Sequence, residues 1–382
     1  MKSEQLELES TSELLEDPKF LSDQLITYIG NKRSLQGHIN SVVENVRKDL
    51  GGTRLVSCDA FSGSGIVSRV LKRHSDVIWT NDLEDYATII SKAFLTNQND
   101  FDLKELEQII EEVNSLAIAN NRPNGFIAEL YAPANDLDIK EGERVFYTSE
   151  NAKKLDAYAQ LIKNIKPELQ NLLYGPLLSA ASIHANTGGV FKGFYKDPTT
   201  GKGKFGGGGA DALKRILAPI TITLPVLSRF SSEVNVIQGD AAELPNKIGP
   251  VDLVYLDPPY NQHPYGSNYF MLNLLVNYEK PDEISKVSGI PVNWNRSDYN
   301  VKQKSMESLI DLVSKLQTKY CVVSFSDDGF LEPTELTKAL EKLGDVRVID
   351  IDYNTFRGSR NLSARPMRIT EHLFVLKKTF HG

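Results

Sequence analysis

An α/β fold is what this sequence predicts: a mostly parallel, seven-stranded sheet with an antiparallel last strand, interrupted by an inserted, mainly helical region. Three observations carry the expectation. Seven short apolar runs bounded by turn residues recur along the chain, stretches with helical spacing separate several of them, and one long segment breaks the alternation.

The runs are RLVSCDAF (54–61), DVIWTND (76–82), VNVIQGD (234–240), VDLVYLDPP (251–259), KYCVVSFSD (319–327), VRVIDIDY (346–353) and EHLFVLKK (371–378). Between them, MESLIDLVSKLQTK places Leu309, Leu312, Val313 and Leu316 at helical spacing. EPTELTKALEKLG opens on a helix-start proline and closes on Gly344, expected as the glycine just past a helix end. Strands alternating with helices imply a parallel sheet covered on both faces. Only a short loop, NTFRGSRNLSARPMRIT, joins the last two runs. It is too short for a crossover helix, so those two strands should pair antiparallel. From about 101 to 231 the chain turns helical (LKELEQIIEEVNSLA, SENAKKLDAYAQLIKNI) and then glycine-rich, which reads as a second domain set into the first.

Bulk properties narrow the function classes. At 382 residues, 41% hydrophobic and 24% charged, the chain can bury a full core and is globular. Its first stretch is polar and acidic rather than a signal peptide, and no apolar run approaches the ~18 residues of a membrane span, so a cytoplasmic protein is expected. The two cysteines, Cys58 and Cys321, lie in strand-like runs and read as small buried hydrophobes. With no CxxC pair and six scattered histidines, no metal site is expected. The net charge of −7 argues mildly against a nucleic-acid partner, but charge is unevenly spread. Residues 1–23 form an acidic segment. Lys192, Lys196, Lys202 and Lys204 make one basic stretch, and Arg357 and Arg360 belong to another; each reads either as a solvated face or as a polyanion footprint.

Three motifs carry chemistry. The first strand runs into DAFSGSGIVSR, where Gly63 and Gly65 precede a helix. Such a turn either packs tightly for its own sake or lets a ligand approach the backbone and free N–H groups. The second strand ends in TNDLED, where a doubly wound fold reads ribose hydroxyls with an acid: Asp82 by position, Glu84 as the fallback. The fourth delivers Asp257, Pro258, Pro259 and Tyr260 to its carboxyl end. The Asp257 carboxylate and the Pro258 carbonyl offer two acceptors, which match the two protons of one –NH₂ group, and Tyr260 offers a flat face for a heterocycle. The set is suited to activating an exocyclic amine on a base. Tyr265 and Tyr269 beyond it read equally as packing aromatics.

DPPY after an apolar strand, FSGSG before a helix, and YIGNKR (28–33) upstream resemble the Dam-like, alpha-class adenine-specific DNA methyltransferases, in the same motif order and from about residue 24 onward. The resemblance implies a Rossmann-like class I methyltransferase fold and S-adenosylmethionine as cofactor. It implies contacts to that cofactor from Tyr28 and Lys32, from the loop Phe61, Ser62, Gly63, Ser64 and Gly65, from Asp82 at the ribose, from Asp240 near the adenine ring, and from Asp257. Many members carry GGK where this chain has Gly30-Asn31-Lys32, which puts the shape of that loop in question.

The expected reaction transfers a methyl group to the 6-amino group of an adenine flipped out of double-stranded DNA, with no metal and no covalent cysteine. The chain has no Pro-Cys dipeptide, which counts against cytosine-C5 chemistry. Residues 24–100 and 232–382 would form the catalytic domain and 101–231 the target-recognition region, with its lysines and Arg357 and Arg360 near DNA. A monomer is the default, and a cognate restriction endonuclease is the functional partner the resemblance suggests. Two rivals stand beside this reading: methylation of the cytosine 4-amino group or of RNA, and a catalytically silent DNA-binding subunit.

Overall fold

The computed structural model describes residues 16–119, 125–207, 210–354 and 368–379. Seven strands form one sheet: β1 Leu55–Asp59, β2 Ser75–Asp82, β3 Glu233–Gln238, β4 Val251–Leu256, β5 Thr318–Ser326, β6 Gly344–Asn354 and β7 Arg368–Lys378. Their order is β3-β2-β1-β4-β5-β7-β6. Strands β1 to β5 pair in parallel, and β7 inserts between β5 and β6, antiparallel to both. Each of the seven apolar runs is a strand, and the last alone opposes the rest. The chain begins in the middle of the sheet, winds outward to β3, then returns to lay β4 on the other side of β1. That reversal opens a crevice beyond the carboxyl ends of β1 and β4, where open α/β sheets bind ligands.

Alternation along β4 shows why the sheet is covered on both sides. Leu253 and Tyr255 face a core built with the helices Gln36–Asp49 and Ile66–His74. Val254 and Leu256 face another, built with Lys302–Lys315 and Pro333–Leu340. Cys58 and Cys321 are buried, free thiols in this second core. Gly344 does not end a helix as the sequence suggested. Helix Pro333–Leu340 stops earlier, and Gly344 opens β6, where a Cβ would lie 2.1 Å from the Lys377 carbonyl oxygen; close approach of two backbones is what demands glycine there.

The 101–231 stretch contributes the helices Leu103–Ala119, Phe126–Tyr131, Ser149–Ile162, Pro167–Ile183 and Ala210–Leu217. Their apolar faces merge with those of Asp85–Phe94 and Phe270–Asn277 in a third core. Contact is tight at Gly175, where a Cβ would lie 2.5 Å from the Cβ of Ala93. Of the acidic N-terminal segment, residues 1–15 lie outside the described residues. Glu16 is buried and accepts from the Arg229 N–H at 2.9 Å, and Asp17 caps the helix Pro18–Ser22. Among the described residues no helix is long and apolar enough to cross a membrane.

Candidate active site

The turn after β1 is shaped by Asp82. Its Oδ2 accepts the Gly63 N–H at 2.7 Å and its Oδ1 the Glu84 N–H at 2.9 Å, so the end of β2 holds the glycine turn in place. Gly63 (φ +49°) and Gly65 (φ +75°) both occupy the left-handed region, and a Cβ on Gly63 would sit 3.0 Å from the Tyr28 ring. Gly65 starts the helix Ile66–His74, leaving backbone N–H groups directed at the crevice. That crevice is a cleft of about 820 Å³, part of it open to solvent. Tyr28, Lys32, Phe61, Ser62, Gly63, Ser64, Asp82, Asp240, Asp257 and Pro259 all line it, and Gly65, Pro258 and Tyr260 adjoin these lining residues along the chain.

Four tyrosines build the floor under the YIGNKR loop. Tyr28 packs against both Tyr265 and Tyr269, with ring centroids 4.9 and 4.8 Å away and nearly parallel planes, and Tyr86 meets it edge-on. The Ile29 N–H donates to the Tyr269 hydroxyl at 2.7 Å, and the Tyr265 hydroxyl donates to the Ile29 carbonyl at 3.2 Å. The two aromatics after DPPY therefore lock the N-terminal loop onto the site. Asn31 needs no left-handed backbone: its Nδ2 donates to the Tyr28 carbonyl at 2.8 Å and its Oδ1 accepts from the Arg33 N–H. The asparagine closes the loop through its side chain, where a glycine would leave it open.

Lys32 is the chemical centre of the arrangement. Only 3% exposed, its Nζ lies 3.0 Å from Asp257 Oδ1 and 3.0 Å from Glu371 Oε1, and 5.3 Å from the centroid of Tyr260. Burial works against its charge, but the two carboxylates outweigh burial and hold its pKa well above the ordinary lysine value. For Asp257, burial dominates over the attraction of Lys32, and with Glu371 adding repulsion its carboxyl rises to about 6. Desolvation likewise lifts Asp59 and Glu84 to about 7 and Asp82 to about 6. Carboxylates thus surround a cleft into which Lys32 brings the opposing charge.

Tyr260 sits differently from the open platform expected of it. Its ring packs edge-on against Phe325 (5.6 Å), and its hydroxyl lies under Gly30, where a Cβ would come within 2.8 Å. Tyr260 is drawn inward because the Phe330 N–H donates to its carbonyl and joins DPPY to the loop after β5. Asp240 is exposed at the cleft rim and caps its own turn through Ala242.

Several participants were missed in the sequence. Asp59 ends β1 and takes the Ser68 hydroxyl at 2.6 Å; its place two residues before Phe61 was the available signal. The loop between Phe270–Asn277 and Lys302–Lys315 carries no periodicity, yet it closes one side of the cleft. Asn295 Nδ2 donates to the Leu83 carbonyl (3.2 Å), Tyr299 meets Phe61 edge-on, and Asn300 Nδ2 donates to the Asn261 carbonyl beside DPPY (2.8 Å). Glu371 had only the look of an acid among basic neighbours.

The basic stretch forms a hairpin. Lys196 bridges Gly203, the Lys204 N–H donates to the Tyr195 carbonyl, and Asp197 closes the turn through Thr199 and Thr200. The Phe191 N–H donates to the Asn268 carbonyl at 2.8 Å, which ties this hairpin to the segment following DPPY. Lys192, Lys196, Lys202 and Lys204 belong to this hairpin region, and none of the four lines the cleft. Arg357 and Arg360 lie outside the described residues.

Comparison with known proteins agrees with this geometry. The family model for D12 class N6 adenine-specific DNA methyltransferases matches residues 28–338. The chain is 26% identical to type II methyltransferase M.NlaIII of Neisseria lactamica, over 93% of this chain and all of that protein. It is 28% identical to type II methyltransferase M.CviAII of Paramecium bursaria Chlorella virus 1, over 92% of this chain and 98% of that one. It also matches modification methylase StsI of Streptococcus sanguinis at 26% identity, over 92% of this chain and 52% of that protein. With the Rossmann-like methyltransferase sheet and the DPPY strand end joined at one cleft, the chain belongs to the D12 class N6 adenine-specific DNA methyltransferases, which use S-adenosylmethionine to methylate adenine in DNA.

Proposed function

We propose that the protein modifies adenine at a specific sequence of double-stranded DNA, as the protective partner of a restriction endonuclease, and that Asp257 holds the reacting amine. The observation that carries the reading is that Asp257, fixed by Lys32 at 3.0 Å, opens into the same cleft as the Gly63 turn. The donor set fits the cofactor: Asp82, Glu84, Asp240 and Asp257 line the cleft, and carboxylates suit a ligand bearing a sulfonium and an ammonium group. When bound, S-adenosylmethionine supplies an electrophilic methyl group on positively charged sulfur.

The chain's residues do the rest by position. The N–H groups at the start of Ile66–His74 and the turn Phe61, Ser62, Gly63, Ser64 and Gly65 receive the carboxylate end, with Tyr28 beneath them. Asp82 accepts ribose hydroxyls through lone pairs left over from its two backbone bonds, and Asp240 reaches the adenine edge at the rim. The target adenine leaves the duplex, which costs a few kcal/mol of unstacking. Asp257 and the Pro258 carbonyl then accept its two amine protons and aim the nitrogen lone pair, with Tyr260 supporting the base. Residues 24–100 and 232–382 form the catalytic part. The 101–231 region reads the DNA, with the lysine hairpin on phosphates, and Arg357 and Arg360 are further candidates for DNA contact.

The test is transfer of labelled methyl groups to DNA lacking methyladenine, comparing wild type with Asp257→Ala, followed by nucleoside analysis and sequencing of modified sites. The expected result is label in N6-methyladenine at one short motif, lost in the variant even at saturating cofactor. Undiminished transfer by the variant would remove Asp257 from its role, and label scattered without a motif would refute sequence specificity.

A further inference from the structure

Glu371 stands apart from the residues that touch the cleft. It projects from β7 into the protein, fully buried, accepts the Ser324 hydroxyl from β5, and lies 3.0 Å from the Nζ of Lys32. Lys32 lies the same distance from Asp257, so the two carboxylate oxygens are at most 6.0 Å apart, with one ammonium between them. A lone Asp–Lys pair would be neutral, and its aspartate would be a poor proton acceptor because the cation favours the ionised form. The third member changes that balance, because two carboxylates share one cation and the set carries one negative charge.

The reaction calls for such a surplus. Formation of the bond from N6 to the methyl carbon, with the C–S electron pair left on sulfur, gives the amine nitrogen one proton too many. We propose that Glu371 is a positioning residue for methyl transfer: by taking up the charge of Lys32, it leaves the Asp257 carboxylate free to accept the proton released from N6. The proton then passes from Asp257 to solvent at the open side of the cleft. This rests on the reading of Asp257 as the amine-holding group. Among the described residues, the charged and titratable groups facing Asp257 are Lys32 from the N-terminal loop, Glu371 from β7, Asp59 from β1, and the hydroxyls of Tyr255, Tyr260 and Tyr265. Lys32 is the cation in this set, so its balance turns on Glu371.

The experiment measures the single-turnover rate of methyl transfer against pH with cofactor saturating. Removing one negative charge within ~6 Å, at an effective dielectric of ~20, shifts the acid limb of the profile on the order of 1–2 pH units. For Glu371→Gln the limb moves to lower pH and the plateau falls about tenfold, because the weakened base takes the proton less readily. A lower plateau with the limb unmoved would mean that Glu371 only supports the structure, and a limb moved to higher pH would reverse the argument; either overturns the proposal. Should Glu371→Gln fail to fold, the same comparison is made between Lys32→Met and Lys32→Met/Glu371→Gln. The limb must lie lower in the double variant, and equal limbs would overturn the proposal. Asp257→Ala separates the two ideas: full activity there removes the Asp257 reading itself, whereas inactivity there with an unmoved Glu371→Gln limb removes only the role of Glu371.

Discussion

Replacing Gly30 with alanine should damage both chemistry and stability. Gly30 has φ +73°, which costs an L-residue roughly 1–2 kcal/mol. The added Cβ would also stand 2.8 Å from the Tyr260 hydroxyl and 3.4 Å from that of Tyr265, and the first of these approaches is closer than atoms tolerate. A free tyrosine would swing aside, but Tyr260 is 8% exposed and wedged between Phe325 and Lys32, so the DPPY loop must shift with it. Total destabilisation should reach about 2–3 kcal/mol once the overpacking is included. Moving a reacting group by about 1 Å can lower the rate some 100-fold. Gly37 is the internal control: it lies in the helix Gln36–Asp49 with open space around its Cβ position and no left-handed backbone. Gly37→Ala should be neutral or stabilising by up to about 1 kcal/mol. Urea denaturation and single-turnover methyl transfer on both variants provide the assay. If Gly30→Ala matched Gly37→Ala in both, the tight fit between the N-terminal loop and Tyr260 would be wrong.

Other expectations concern the surface and the far strands. Changing Lys196, Lys202 and Lys204 together to alanine should weaken DNA binding while cofactor affinity is retained. The slope of log affinity against log salt should become shallower by about one for each phosphate that is no longer neutralised; an unchanged slope would take the hairpin off the DNA. His372 lies between Asp327 (2.6 Å) and Asp350 (2.8 Å), and although burial opposes its charge, these acids raise its pKa above the ordinary histidine value. Its contribution to stability should be fully present below about pH 6.5 and lost as pH rises through the raised folded value. Denaturation midpoints of wild type and His372→Gln should therefore differ most near pH 6 and draw together as pH rises above the ordinary histidine range, and a constant gap would refute the pairing.

The strands were legible because each needed only local information: an apolar run, a turn on either side, and for the last pair a loop too short for a helix. The DPPY and glycine-turn residues were legible because their chemistry is written in contiguous letters at strand ends. Glu371 was not, since its meaning depends on β7 sliding in beside β5 and meeting residue 32 from the opposite end of the chain. The orientation of Tyr260 was hidden for a similar reason, being set by Phe325, Phe330 and Gly30 on separate segments. Residues 279–301 gave no pattern at all because their task is hydrogen bonding by scattered asparagines, which leaves no hydrophobic period.

The merged third core limits how this protein can be re-engineered or diversified. Helices from 103–183 bury their faces on Asp85–Phe94 and Phe270–Asn277, with Gly175 pressed to Ala93. Transplanting the whole insertion from a distant relative would replace one half of a jigsaw, and the chimera would have to be repacked before it could work. In the hairpin Phe191 and Phe194 also pack on Phe146, whereas residues 198–202 at its tip are exposed and carry no such debt to the interior. New specificities are therefore best sought by rewriting that fingertip while leaving the palm untouched.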